Sequence, residues 1–166
     1  MPDAPEQRLL AALLDSWDRN NTILTNLVRL IPEGGFEARA MEGSPTVGEM
    51  LAHIHYVRLV FVEEDAPEFA RPLPEEWVVE RNPDRMVEKL SDSAKAVREA
   101  VKSRVEARQE MKQHYDHPVL FLQHMIWHEG YHHGQIKLAL KLAGHPITNK
   151  EAGPATWRVW MNKKQT

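Results

Sequence analysis

Four stretches of the chain repeat apolar residues every three or four positions, and proline and glycine punctuate the chain between them. In the first, Leu9, Leu10, Leu13, Leu14 and Trp17 are followed by Ile23, Leu24, Leu27 and Val28, and Pro32 and Gly34-Gly35 end the run. That spacing puts the apolar side chains on one stripe of an α-helix, which the pattern predicts from about Pro5 to Leu30. The second opens on Ser44-Pro45-Thr46-Val47-Gly48-Glu49, where Thr46 and Glu49 have the spacing of a capping box. It carries Val47, Met50, Leu51, Ile54 and Phe61 and is expected to end near Glu64. The third starts at Asn82-Pro83, an N-cap followed by proline at the first helical position. Met86, Leu90, Ala94, Val97, Val101 and Val105 lie on its apolar face, and it fades in the charged stretch up to Lys112. The fourth runs from about Asp116-His117-Pro118 to Gly144, with Pro146 just beyond.

Nothing in the chain reads as a strand. Helices with one apolar stripe bury it against one another, so the expected fold is an all-α four-helix bundle, a single domain over residues 1–166. Residues 65–82 hold Pro67, Pro72 and Pro74 and make a connection longer than the usual range of about 2–8 residues between bundle helices. It is expected to cross one end of the fold and to give a topology other than simple up-down-up-down. In the tail Thr148–Thr166, the spacing of Trp157, Trp160 and Met161 predicts one short amphipathic helix, packed on the bundle or on a second subunit.

The chain has 166 residues and no cysteine, which excludes disulfides, thiolate metal sites and cysteine nucleophiles. At this length roughly 68–70% of the unfolded surface can be buried, so no staple is needed. Lys and Arg number 21 against 24 Asp and Glu, a formal net charge of −3. That balance argues against a general nucleic-acid binder and a polybasic membrane anchor. No apolar run approaches about 18 residues, and Met1-Pro2-Asp3-Ala4-Pro5-Glu6 lacks a secretion signature. A cytoplasmic protein is the expectation.

The 9 histidines carry the functional information. His124, His128 and His132 follow one another at four-residue steps within Gln123–Gln135. Residues four apart sit about 40° apart on one helix face, so a neighbouring pair can chelate one metal ion at about 2.0–2.1 Å. Eight residues climb about 12 Å, so 124 and 132 do not share an ion, and spacing leaves 124/128 and 128/132 both open. His133 points about 100° away. On the second helix His53 or His55 can supply a third nitrogen, and each is flanked by core-like residues. Three histidines on one side of an ion leave positions for water or substrate, the pattern of a reactive site. Such a set suits zinc, nickel, copper or iron.

His128-Glu129-Gly130-Tyr131-His132 also matches the zinc-protease pattern H-E-x-x-H, with Glu129 as the base. The extended pattern wants glycine at 135 and histidine at 138. The chain has Gln135 and Leu138, and a downstream ligand at Glu151 falls in an expected loop. Arg58 is expected to pair with a carboxylate rather than a substrate, and Trp127 and Tyr131 to be core. Trp157 and Trp160 suit a dimer contact or tail packing equally.

Three segments together resemble the DinB/YfiT-like superfamily of metal-dependent four-helix-bundle proteins, unrelated to the DNA polymerase that shares the name. They are Thr46-Val47-Gly48-Glu49-Met50-Leu51-Ala52-His53, the run His128–Gln135, which is similar to the family's H-x-x-x-H-x-G-Q, and Leu142-Ala143-Gly144-His145-Pro146. The resemblance implies metal ligands at His53, His128 and His132, with Gln135 orienting the site from behind. His133 stands where relatives commonly have arginine. The resemblance further implies a divalent ion, zinc or nickel first, a small-molecule substrate and a homodimer. Some relatives are transferases or isomerases that activate a low-molecular-weight thiol, so the expected activity is a thiol-dependent S-transferase. Water activation for hydrolysis and a non-catalytic metal sensor are the alternatives. No catalytic residue beyond the ligands is assigned.

Overall fold

The computed structural model describes residues 5–163. Its helices are α1 (Pro5–Leu30), α2 (Val47–Asp65), α3 (Pro83–Glu106), α4 (Pro118–Leu142), α5 (Asn149–Ala155) and α6 (Trp157–Met161), with short 3-10 turns at Gly35–Glu37 and Pro67–Phe69. No strand occurs among the described residues, only an isolated bridge between Arg39 and Thr46. No helix of the structure is long and apolar enough to cross a membrane.

The helix starts are fixed locally. Thr46 Oγ1 accepts from the Glu49 backbone N–H while Glu49 accepts from the Thr46 N–H, and Asn82 caps α3 through the Arg85 N–H. These side chains satisfy backbone donors that the first helical turn leaves free.

Long-range contacts set the directions. Leu9 and Leu13 of α1 share a cavity with Val105 near the end of α3 and Pro118 at the start of α4. Gly35, just after α1, packs on Leu140 near the end of α4. So α1 and α4 run together and α3 runs against them. Ala52 and His55, early in α2, share a crevice with Met86 and Lys89, early in α3. Asp65, at the end of α2, accepts from the Gln113 and His114 backbone N–H groups beyond α3. The order is therefore up-down-down-up, with α1 and α2 diagonal to each other, their backbones apart and bridged by side chains such as Arg58.

Parallel α2 and α3 explain the long connection between them. It does not cross an end of the bundle, as the sequence suggested, but returns along its length. Arg71 pairs with Asp92 and Glu99, Glu80 with Lys89, and Val79 packs against Gly48. The tail also differs from expectation. It forms two short helices, because Thr148 and Glu151 make a second capping box and start α5 ahead of α6.

The interior has two apolar parts. Trp17, Val62, Val97, Phe121 and Met125 fill one, and Leu27, Leu51, Ile54, Leu90, Ile136 and Leu140 fill the other. Asn20, Arg58, Ser93 and Glu129 are buried with them as a hydrogen-bonded polar group. Burying an ion pair is costly unless each lone pair and proton finds a partner.

Candidate metal centre

His53 lies two turns into α2, and His128 and His132 lie on successive turns in the middle of α4. The parallel and antiparallel packing brings their rings together. His128 Nε2 is 3.4 Å from His53 Nε2 and 3.1 Å from His132 Nε2. One ligand nitrogen from each of the three lies within 4.8 Å of the others, a group that can hold a metal ion. Two bonds of about 2.0–2.1 Å at tetrahedral or octahedral angles separate their nitrogens by roughly 3–3.4 Å, so the donor set fits a small divalent ion.

Partners on the far side of two rings aim the lone pairs inward. His53 Nδ1–H donates to Glu76 Oε1 at 2.6 Å, and His132 Nδ1–H donates to Gln135 Oε1 at 2.8 Å. The Gln135 amide in turn donates to Tyr131 Oη at 2.9 Å. With Nδ1 protonated, each ring presents a bare Nε2. His128 Nδ1 is buried without a hydrogen-bond partner.

Burial and neighbouring charge favour the neutral form of two of the rings, His128 and His132. Burial, then the neighbouring His132, His53 and His124 and the more distant Arg58, push His128 down to about 3. Burial also lowers His132, and its bond to Gln135 opposes that shift. Neutral imidazole is the form that ligates.

The crossover closes one side of the group. Trp77 stacks on His53 with ring centroids 4.4 Å apart and planes within 5°. Its φ of 68° lies in the left-handed region that bulky residues avoid, so the backbone here bends to seat the ring. Residues 76 and 77, not the proline-rich 67–74 segment, meet the histidines. Neither was singled out from sequence. A loop residue has no periodicity to mark it, and contact across more than twenty positions leaves no local signal.

The other candidates go elsewhere. His55 is buried towards α3, among Ala52, Met86 and Lys89. His124 hydrogen-bonds Tyr115 at 2.8 Å, with its ring 6.5 Å from that of His128. His133 faces a cleft with Ile23, Lys137 and Trp157, and Trp160 lines the same cleft. Arg58 pairs with Glu129, as expected, and that pair keeps Glu129 out of the histidine group. Glu151 caps α5 and is no ligand. Trp127 and Tyr131 are exposed rather than core, because they sit on the outer face of α4.

No curated protein and no solved structure matches the chain. A family model does: that of the DinB family matches residues 4–152, most of the chain and all of the helices that supply the histidines. On that match, and on an all-helical fold that converges three histidines from its second and fourth helices, the chain belongs to the DinB family.

Proposed function

We propose that this protein is a metal-dependent enzyme that holds one divalent ion, zinc or nickel, on His53, His128 and His132 and transfers a low-molecular-weight thiol to an electrophile. The observation that carries the reading is the convergence of three Nε2 atoms from two helices. Three nitrogen donors leave coordination positions free, unlike a closed four-ligand structural site. When bound, such an ion lowers the pKa of a coordinated thiol or water, so that a nucleophile forms near neutral pH. A chain without cysteine has no sulfur nucleophile of its own.

The protein's own residues then have separable tasks. Glu76 and Gln135 hold the His53 and His132 rings in one tautomer and orientation. Trp77 covers His53 and limits water on that side. His128 stays neutral by burial and is ready to ligate.

The test is elemental analysis of untagged protein beside His128→Ala, followed by thiol conjugation to a generic aryl halide electrophile. One ion per chain in the wild type, lost in the variant, supports the site. Equal metal content in both removes it. Metal-dependent loss of free thiol supports transfer, and a rate equal to that of the chelated protein with every thiol offered overturns it.

A further inference from the structure

A cleft of about 310 Å³ lies between α4, the later half of α1 and the two tail helices. That volume stands at the lower end of the range for small-molecule sites, about 300–1,000 Å³. At about 100° per residue, His133, Gly134 and Lys137 share one side of α4, and His128 and His132 lie on the opposite side. The cleft therefore opens away from the histidine group.

Its lining is one-sided in charge. Lys137 is the one permanently charged side chain there, and no carboxylate lines the cleft. Among the described residues Lys137 makes no ion pair, and its ammonium lies over the Trp157 ring, 6.0 Å from the centroid. Trp157 and Trp160 form the outer wall and stay 46 and 43% exposed. Ile23 lines it from α1, and the floor includes Gly134, where an added Cβ would meet nothing within 4 Å.

The wall is fastened from behind. Asn26 of α1 donates to the Ala155 carbonyl at 2.9 Å, and Arg19 donates to the Val159 and Asn162 carbonyls. These bonds satisfy acceptors that the ends of α5 and α6 leave free. Gly153 gives the Trp157 ring its seat, since a Cβ there would lie 2.9 Å from Cζ2. Two large rings are thus held half-open to solvent beside an unpaired ammonium, and a ligand that covers them removes apolar surface from water.

We propose that this cleft binds a small aromatic carboxylate, its ring laid on Trp160 over the Gly134 floor and its carboxylate against the Lys137 ammonium. The ammonium selects an anion, and the indoles select a flat ring. Trp157 already carries the ammonium, which leaves Trp160 to the ligand. A partly exposed ion pair contributes little by itself, so the ring supplies most of the affinity and Lys137 the orientation. A phosphoryl group would call for more donors than one lysine offers, and an aliphatic acid would forgo the aromatic contact.

Isothermal titration calorimetry of the untagged full chain with 2-naphthoate, in the presence of chelator, should show one site with a dissociation constant below about 1 mM. 2-Naphthalenemethanol keeps the rings without the charge, and cyclohexanecarboxylate keeps the charge without the aromatic face. Each should bind at least tenfold more weakly. Lys137→Met and Trp160→Ala should each weaken 2-naphthoate at least fivefold, whereas Lys137→Arg should keep most of the affinity. Gly134→Leu fills the floor and should abolish binding without lowering the thermal midpoint, because a helix interior prefers leucine to glycine. His128→Ala should bind 2-naphthoate as the wild type does, whatever becomes of the metal. Failure to saturate by about 5 mM, equal affinity for 2-naphthalenemethanol, undiminished binding in Gly134→Leu, or loss of binding in His128→Ala overturns the proposal.

Discussion

Arg58 on α2 and Glu129 on α4 form a two-bond fork inside the bundle, Nε to Oε1 at 2.6 Å and Nη2 to Oε2 at 2.7 Å, with the two side chains 0% and 2% exposed. Arg58 Nη1 also donates to the Leu90 carbonyl and to Asn21, and Asn20 donates to Glu129. The arginine lies over the Trp17 ring, 4.9 Å from its centroid. Glu129 stands between two site histidines in sequence, yet its carboxylate is fully occupied on the inner side of α4. The H-E-x-x-H spacing therefore lacks the free glutamate base that gives that pattern its chemistry.

Removing one member of this pair leaves a buried charge without its partner. Glu129→Gln should cost about 3–5 kcal/mol of stability, measured by urea unfolding. Replacing both, as Arg58→Met with Glu129→Leu, should cost clearly less than that single change, because no charge is then buried alone.

Metal affinity should depend on the residues behind the ligands. Glu76→Ala and Gln135→Ala should each weaken binding about 10- to 100-fold, read by competition with a chelating indicator. Unaltered affinity in both would mean that the rings hold their orientation without these partners.

Two glycines should respond in opposite directions. A Cβ at Gly48 would lie 2.5 Å from Val79 Cγ1 and 3.3 Å from the Phe36 carbonyl oxygen. Gly48→Ala should therefore push the crossover outward and cost about 1–3 kcal/mol. Gly130, inside α4, has nothing within 4 Å of that position, so Gly130→Ala should gain up to about 1 kcal/mol from helix propensity alone. Thermal melts of the two variants check both signs.

Acid should weaken the metal-free fold through His55. Burial, then the charges of Arg58 and Lys89, lower it from 6.5 to about 4, with Asp92 opposing. The unfolded chain takes up this proton near 6.5 and the folded chain only near 4, so the unfolded state binds more protons between them. This contribution to stability is intact above 6.5, is lost as pH falls from 6.5 to 4, and changes little below. After allowing for water that still reaches the ring, the loss is on the order of 1–2 kcal/mol. Urea unfolding with chelator at pH 7.5 and 4.5 should show it, and His55→Gln should reduce the difference.

The helices could be read before the structure because their causes are local. Apolar spacing, the Thr46–Glu49 box and the Asn82-Pro83 start act within a few residues of one another, and the observed helices begin there. The second capping box at Thr148 is equally local, but the short α5 that it starts has no apolar stripe to draw attention to it. Trp127 and Tyr131 misled for a related reason. Aromatic residues at helical spacing mark a face, and spacing does not say whether that face meets the bundle or the solvent.

By itself, the sequence determined that the chain is helical, where its long helices start and stop, and that α4 carries imidazoles on successive turns. Spacing left His53 and His55 open and the family resemblance pointed to His53; the tertiary structure brings His53 to the α4 histidines, and it alone decided that His124 turns to Tyr115 and that Glu76 and Trp77 close over the group. The physical reason is range. Helix periodicity fixes the angle of a side chain about its own axis, whereas the neighbour it meets depends on how α2 and α4 are rotated against each other. That rotation comes from the packing of both cores and the buried Arg58–Glu129 pair, contacts between residues far apart in the chain.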